Sequence, residues 1–157
     1  MTDQKEFMKR IIYLLLITVA LSVSVFAQTA KKKVAALPTS MANLSGESSD
    51  KLLNEPVIKL RLQKLLGKKS FASFMESFET LTPITKDGNF LFASGCLIHA
   101  CTHLESAVAI DLSDNTIHAA IYNDEKTTRF FNERSKKSPK PIVTWAKKLS
   151  DLKGNKR

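Results

Sequence analysis

The chain is poor in cysteine: Cys96 and Cys101 are its only two. Their spacing is wider than the C-x-x-C of redox dithiols and matches no closed structural zinc motif. The sequence has no internal repeats and no basic run interleaved with aromatic residues in a nucleic-acid-binding motif. No acid and base stand out as a catalytic pair, and Glu105, Asp111 and Asp114 are candidates only by elimination. We therefore expect no enzyme, no cofactor and no nucleic-acid partner.

The N-terminal segment has the features of a secretory signal peptide. Lys9 and Arg10 form a short basic region, and an almost unbroken apolar run follows over residues 11–27. The tripeptide Val25-Phe26-Ala27 fits the small-x-small rule for cleavage, so we expect the mature chain to begin at Gln28. The alternative is a retained membrane anchor, because a run of about 17 residues is at the short limit for spanning a bilayer.

The charge of the remaining chain is basic. Removal of residues 1–27 takes away three of the 24 basic and two of the 15 acidic residues, which leaves 130 residues with a formal net charge of +8. That length suits one domain with a single modest core. A basic exported domain can bind anionic lipid, polysaccharide or an acidic protein.

The pattern along the chain predicts a flexible linker over residues 28–48, one domain over residues 49–152 and a polar tail over residues 153–157. Within the domain, Asn54 is placed to cap a helix whose first turn contains Pro56, and Gly67 is placed to end it.

A second helix is predicted to follow, with Ser70 as its cap. Phe71, Phe74, Met75 and Phe78 are spaced i, i+3, i+4 and i+7, which places them on one helix face. An exposed binding face would be one explanation of this stripe. Packing in the core is the interpretation that the periodicity favours.

Strand patterns replace helical ones after residue 83. We expect strands over residues 89–94, 106–112, 116–122 and 127–131, and a last helix after Pro139 and Pro141. Short turns between consecutive strands predict an antiparallel meander. The fold class is therefore α+β, with a central antiparallel sheet and helices packed on one face.

The two cysteines bracket a histidine in the run Cys96-Leu97-Ile98-His99-Ala100-Cys101. In an oxidising compartment the pair should form a disulfide that presents His99 at or near the tip of the loop. Closing so small a ring stabilises the fold by only about 2 kcal/mol. The bond is better suited to fixing the shape of the loop, which would then lose little entropy on entering a cleft.

Several interpretations of this loop remain open at the level of sequence. It can be a recognition loop, with His99 as its polar contact and Leu97 and Ile98 as an apolar flank, or a surface staple with an incidental histidine. A metal site would add His103 or His118 to the loop residues, but an oxidising compartment removes the thiolates. A cysteine nucleophile with a histidine base lacks an orienting third group. We interpret His118, which lies inside a predicted strand, as structural.

At these residues the chain resembles the inhibitor of vertebrate lysozyme family. The match is the C-x-x-H-x-C pattern of Cys96, His99 and Cys101, followed by the strand Ala107-Val108-Ala109-Ile110-Asp111. The resemblance implies a periplasmic protein whose loop enters the active-site cleft of a lysozyme. There the family histidine contacts the two catalytic carboxylates, a role that falls on His99.

The loop of this chain departs from the family pattern at four positions. Family members usually have Lys-Pro before the histidine and Asp after it, where this chain has Leu97-Ile98 and Ala100. The residue after the second cysteine is usually Gly, and here it is Thr102. The resemblance implies a partner-binding loop of Leu97, Ile98, His99 and Ala100 held by the disulfide. The family includes homodimers, which leaves a homodimer open.

A competing hypothesis keeps the fold and removes the inhibition. In it, the protein is a periplasmic envelope-binding or structural domain whose basic surface binds anionic envelope components. The disulfide then only stabilises the loop, which has no inhibitory role. The two hypotheses differ in salt dependence, because attraction to a charged surface fades with salt whereas loop insertion persists.

Overall fold

The computed structural model describes residues 35–135 and 137–154 of the chain. The predicted signal peptide, residues 28–34 of the predicted linker and residues 155–157 of the predicted tail lie outside this part. The described helices are a short 3-10 helix (Thr39–Asn43), α1 (Ser49–Leu53), α2 (Pro56–Glu76) and α3 (Lys140–Gly154). The described strands are β1 (Thr80–Leu81), β2 (Thr85–Asp87), β3 (Phe90–Cys96), β4 (Leu104–Asp111), β5 (Thr116–Asn123) and β6 (Arg129–Asn132).

These strands form one antiparallel sheet in the order β1-β3-β4-β5-β6, and β2 pairs with the same edge of β3 as β1 does. The predicted α+β class and the meander of four consecutive strands are confirmed by β3, β4, β5 and β6. In the long central pair, β4 and β5 are in register from Leu104 opposite Asn123 to Asp111 opposite Thr116. Both ends of this hairpin therefore have fixed positions, including the end that leads into the cysteine loop.

Helix α2 is interrupted where the sequence predicted a stop. Pro56 occupies the first turn, and Gly67 has φ 70° and ψ 165°, which is not helical. Glycine reaches this left-handed region without the steric cost that a side chain would add. The two predicted caps are wrong: Glu55, not Asn54, is the residue before the first turn, and Ser70 lies inside the helix because helical backbone resumes directly after Gly67.

The aromatic stripe at the end of α2 and just after it packs in the core, as predicted. Phe74 is fully buried and Phe78 is 5% exposed, with their ring centroids 4.9 Å apart. They face the side of the sheet that carries Leu91, Val108 and Ile110. Burying large side chains of this kind stabilises the fold by roughly 1.5–3 kcal/mol each.

The opposite face of the sheet is also covered, which corrects the expectation of helices on one face. There Ala107, Ala109 and Ala120 form a buried cluster with Ile142 of α3, and Trp145 packs against it. Successive residues of a strand point to opposite faces, so these alanines alternate with the large residues that face α2. Their small side chains let α3 approach the sheet closely.

Part of the predicted linker packs against the domain. Met41 is 1% exposed and belongs to the same core cluster as Phe74. The N–H of Gly46 donates to the carbonyl of Ile84 at 2.8 Å, and the N–H of Ile84 donates to the carbonyl of Glu47 at 2.7 Å. Within residues 35–135 and 137–154, no helix is both long and apolar enough to cross a membrane.

A buried ion pair joins α2 to the strand edge. Arg61 donates to both carboxylate oxygens of Glu133, to the Asn115 side chain at 2.9 Å and to the Asn115 carbonyl at 2.8 Å. The Glu133 carboxylate also accepts the N–H of Ile117 at 2.9 Å. The Arg61 and Glu133 side chains are only 6% and 13% exposed, so the pair is largely shielded from water.

Candidate partner-binding loop

The loop that contains His99 connects β3 to β4. Cys96 is the last residue of β3 and pairs in register with Glu105 of β4. The predicted disulfide is present: Cys96 bonds to Cys101, with their Cα atoms 5.0 Å apart. Cys96 is 8% exposed and Cys101 is exposed, so the bond ties the surface of the loop to the buried end of the strand.

Backbone hydrogen bonds turn the chain inside the ring. The N–H of Ala100 donates to the Leu97 carbonyl at 2.9 Å, and the Ala100 carbonyl accepts the N–H groups of His103 and Leu104 at 3.0 and 2.9 Å. The N–H of Leu97 closes the base by donating to the Leu104 carbonyl at 3.2 Å. The loop is therefore a compact hydrogen-bonded turn as well as a covalent ring.

Two residues of the turn occupy the left-handed region of backbone conformation. His99 has φ 63° and Thr102 has φ 72°. For a β-branched residue such as Thr102 this conformation is unusual and costs of order 1–3 kcal/mol. Glycine adopts this left-handed backbone without that cost.

Three carboxylates brace the loop from outside the ring. Glu79 accepts the N–H of Ile98 at 3.2 Å, and Glu105 accepts the N–H of Thr102 at 2.8 Å. Asp124 lies 2.5 Å from the Nδ1 of His103, just after the ring. These bracing contacts could not be predicted from the sequence, because nothing in the sequence brings residues 79 and 124 to the loop before the strand register is known.

Gly95 positions the base of the loop. A Cβ atom at this residue would lie 2.7 Å from Cδ1 of Phe78 and 2.9 Å from the carbonyl oxygen of Thr80. The segment after α2 can pass this closely over β3 only because residue 95 has no side chain. That passage also places Glu79 where it accepts the hydrogen bond from the loop.

The side chains at the tip of the loop face solvent. His99 is exposed and Ile98 is 51% exposed, whereas Leu97 and Ala100 are half-buried. Among the residues that the structure describes, none forms a hydrogen bond with the His99 imidazole. Both ring nitrogens can therefore serve an external partner, with one donating and the other accepting in the neutral form.

The other candidates from the sequence have structural positions. His118 is 6% exposed and lies between Thr116 Oγ1 at 3.2 Å and Asn132 Oδ1 at 2.7 Å, which confirms the structural interpretation. His103 is exposed and paired with Asp124. The sulfurs of Cys96 and Cys101 are bonded to each other, so neither is available as a thiolate.

Asp111 caps the turn between β4 and β5. Its Oδ1 accepts the Ser113 hydroxyl at 2.6 Å, the Ser113 N–H at 2.9 Å and the Asp114 N–H at 3.2 Å. Partial burial alone would raise the pKa of this carboxyl, but the hydrogen bonds from Ser113 and Asp114 outweigh it, and the pKa lies below its usual value. Asp111 is therefore an ionised turn-forming residue.

Comparison with known families agrees with this geometry. The profile of the family described as inhibitor of vertebrate lysozyme (Ivy) matches residues 57–155, which is more than half of the chain. The match spans α2, the sheet, the cysteine loop and α3. Neither the search of curated proteins nor that of solved structures gave a match. On the strength of the profile match, this chain belongs to the inhibitor of vertebrate lysozyme family.

Proposed function

We propose that the protein inhibits a lysozyme by inserting the Cys96–Cys101 loop into its active-site cleft, with His99 as the main polar contact. Membership of the family supports the inhibitory function. The observation that carries the mechanism is an exposed imidazole at the tip of a loop fixed by a disulfide and by internal hydrogen bonds.

The chemistry of the target suits this loop. Glycoside hydrolases of this type act through two carboxyl groups that flank the scissile bond, one protonated and one ionised. A neutral imidazole can donate to the carboxylate and accept from the acid, so His99 would satisfy both groups where the sugar must lie. Ile98 would then cover apolar surface at the rim of the cleft.

The rigidity of the loop favours tight binding. A partner that orders a mobile segment spends binding free energy on that ordering, roughly 0.5–1.5 kcal/mol per immobilised side chain. Here the disulfide, the turn around Ala100 and the hydrogen bond from Ile98 to Glu79 hold the backbone before any partner binds.

We further propose that the protein acts in the periplasm. The basic and apolar N-terminal residues have the order of a secretory signal, and a disulfide between the only two cysteines suits an oxidising compartment. Protection of the cell wall from host or competitor muramidases would be the benefit.

The test is inhibition of a panel of muramidases by the oxidised mature protein. His99→Ala should weaken inhibition by about 30-fold or more, the effect of losing a contact worth roughly 2 kcal/mol. His99→Gln, which keeps a donor and an acceptor, should retain part of the inhibition. Lys148→Ala on the exposed side of α3 is the control and should inhibit like the parent protein.

Two outcomes would contradict the mechanism. Inhibition that is equally strong in His99→Ala would move the contact away from the loop tip. A protein that inhibits no muramidase, but binds anionic vesicles in a strongly salt-dependent way, would have the envelope-binding role instead.

A further inference from the structure

A concave site lies beside the loop but does not include it. It is a cavity of about 320 Å³ between the second half of α2 and the ends of β4, β5 and β6. Three basic residues line it: Lys69 from α2, Lys126 from the turn after β5, and Arg129 from the start of β6. No acidic residue is among the residues that line it.

The cations come from two separate parts of the sequence. Lys69 is 57 positions before Lys126 in the numbering, and the fold brings both to the same concavity as Arg129. Within the described part of the chain, none of the three forms a salt bridge with a carboxylate. A cleft lined by one sign of charge concentrates counter-ions, and its cations repel one another until an anion occupies it.

Arg129 is exposed, and its guanidinium contacts two neighbouring residues. Its Nη1 donates to the Ser70 hydroxyl at 3.3 Å, and its Cζ lies 5.8 Å from the ring centroid of Phe131. The planar guanidinium can donate two parallel hydrogen bonds to the oxygens of a phosphate or carboxylate.

The rest of the lining defines the size and nature of the ligand. Ser73, Asn123 and Thr127 supply hydroxyl and amide groups, while Leu104 and Ile121 supply an apolar part. Ile121 is 2% exposed, so its side chain forms the floor of the cavity. A volume of about 320 Å³ exceeds that of a single inorganic anion and suits a small organic body that carries one.

Two acidic residues directly precede Lys126 in the sequence: Glu125 is exposed and is not among the residues that line the cavity, and Asp124 is paired elsewhere. Asp124, two positions before Lys126, is paired with His103 of the cysteine loop. Its charge therefore supports the loop and leaves the positive charge of Lys126 uncompensated by it. Within residues 124–126, Asp124 therefore contacts the loop residue His103, and Lys126 lines the basic cavity.

We propose that this cavity binds a small organic anion through its phosphate or carboxylate group, with Lys69, Lys126 and Arg129 contacting the anionic oxygens. The apolar part of the ligand would lie over Leu104 and Ile121. The site is separate from the exposed loop tip, so it stands or falls independently of the inhibitory mechanism.

The experiment is a titration of the oxidised mature protein followed by backbone amide NMR at constant ionic strength. The probes are glucose 6-phosphate, inorganic phosphate and acetate, with glucose as the neutral control. We expect saturable shifts centred on the amides of Asn123, Thr127 and Arg129, strongest for the sugar phosphate if phosphate is the preferred group. If carboxylate is the preferred group, acetate should bind more tightly than inorganic phosphate.

Charge-removing variants distinguish a built site from general attraction to a basic protein. Lys126→Gln and Arg129→Gln should each weaken binding by at least 5-fold, whereas Lys147→Gln on α3 should leave it unchanged. Lys147 is a suitable control because it lines a different concavity that also contains Asp151. Shifts that do not saturate, or that weaken equally in the Lys147→Gln variant, would overturn the proposal.

Discussion

The ring of Phe78, at the end of the aromatic stripe, lies directly against the backbone of Gly95 at the base of the cysteine loop. A Cβ atom at residue 95 would come within 2.7 Å of Cδ1 of that ring and within 3.0 Å of Cα of Phe78. This contact joins the core to the candidate site, because Phe78 is followed directly by Glu79, which accepts the N–H of Ile98 in the loop. Packing at this point therefore determines the position of the loop.

Gly95→Ala should destabilise the protein by about 1–3 kcal/mol, the usual cost of overpacking a close contact. The free energy of unfolding in urea measures it. Phe78→Leu introduced together with Gly95→Ala removes the ring but leaves the Thr80 carbonyl 2.9 Å from the new Cβ, so recovery should be incomplete. An unchanged free energy of unfolding in Gly95→Ala would mean that the two segments separate without cost.

The buried pair of Arg61 and Glu133 provides a second test of stability. Removing one partner leaves an uncompensated charge in a shielded position, so Arg61→Met should destabilise the fold by about 3–5 kcal/mol. Arg61→Met combined with Glu133→Leu should recover much of that loss, because no buried charge then remains. A double variant as unstable as the single one would show that the hydrogen bonds to Asn115 dominate instead.

The turn at Asp111 predicts a dependence on pH. Because the pKa of this carboxyl is lowered in the folded protein, its contribution to stability is present above the unfolded pKa of about 3.9 and is lost as pH falls through the folded value. Asp111→Asn should remove that contribution, so the free energy of unfolding should fall less between pH 5 and pH 3 than in the parent.

The Ser113 hydroxyl is one of the causes of the shift. Ser113→Ala removes the 2.6 Å hydrogen bond to Asp111, so the pKa of the carboxyl should rise toward its usual range. An NMR titration of the Asp111 carboxyl measures this change directly. If the pKa does not change, the two backbone donors alone account for the lowering.

Strong periodic patterns allowed the main elements to be predicted from sequence. The stripe from Phe71 to Phe78 and the alternating strands identified α2 and β3 to β6, and the cysteine spacing identified the loop. The two-residue β1 and three-residue β2 are exposed throughout and have no alternation of burial, so their sequences contain no strand signal. β1 lies beside the close contact at Gly95, where it pairs with Gly95 and Cys96, whereas β2 pairs with Phe90–Phe92 across the turn at Gly88.

The packing of α3 on the second face of the sheet also could not be predicted from the sequence. Runs such as Ser106 to Leu112 have small and large apolar residues in alternation, and small ones are compatible with either a bare or a covered face. Only the packing of Ile142 against Ala107 and Ala109 reveals that α3 lies there. In the same way, the bracing of the loop by Glu79 depends on contacts between residues far apart in sequence.

The strain at Thr102 gives the sharpest test of how the loop is built. Its φ of 72° is one that glycine adopts freely and a β-branched residue adopts at a cost. Thr102→Gly should relieve that cost and stabilise the protein by about 0.5–1 kcal/mol after the added entropy of the unfolded glycine is subtracted. The hydrogen bond from its N–H to Glu105 is retained, because it involves only the backbone of residue 102.

Thr102→Ala is the matched control, since it keeps a Cβ and should recover only a small part of the gain. Thermal unfolding at neutral pH should show the highest stability for Thr102→Gly, a lower one for Thr102→Ala and the lowest for the parent protein. Stabilisation without any change in muramidase inhibition would place the strain outside the contact surface. A glycine variant less stable than the alanine variant would show that the turn is held by its hydrogen bonds at no conformational cost, and the strain argument would fail.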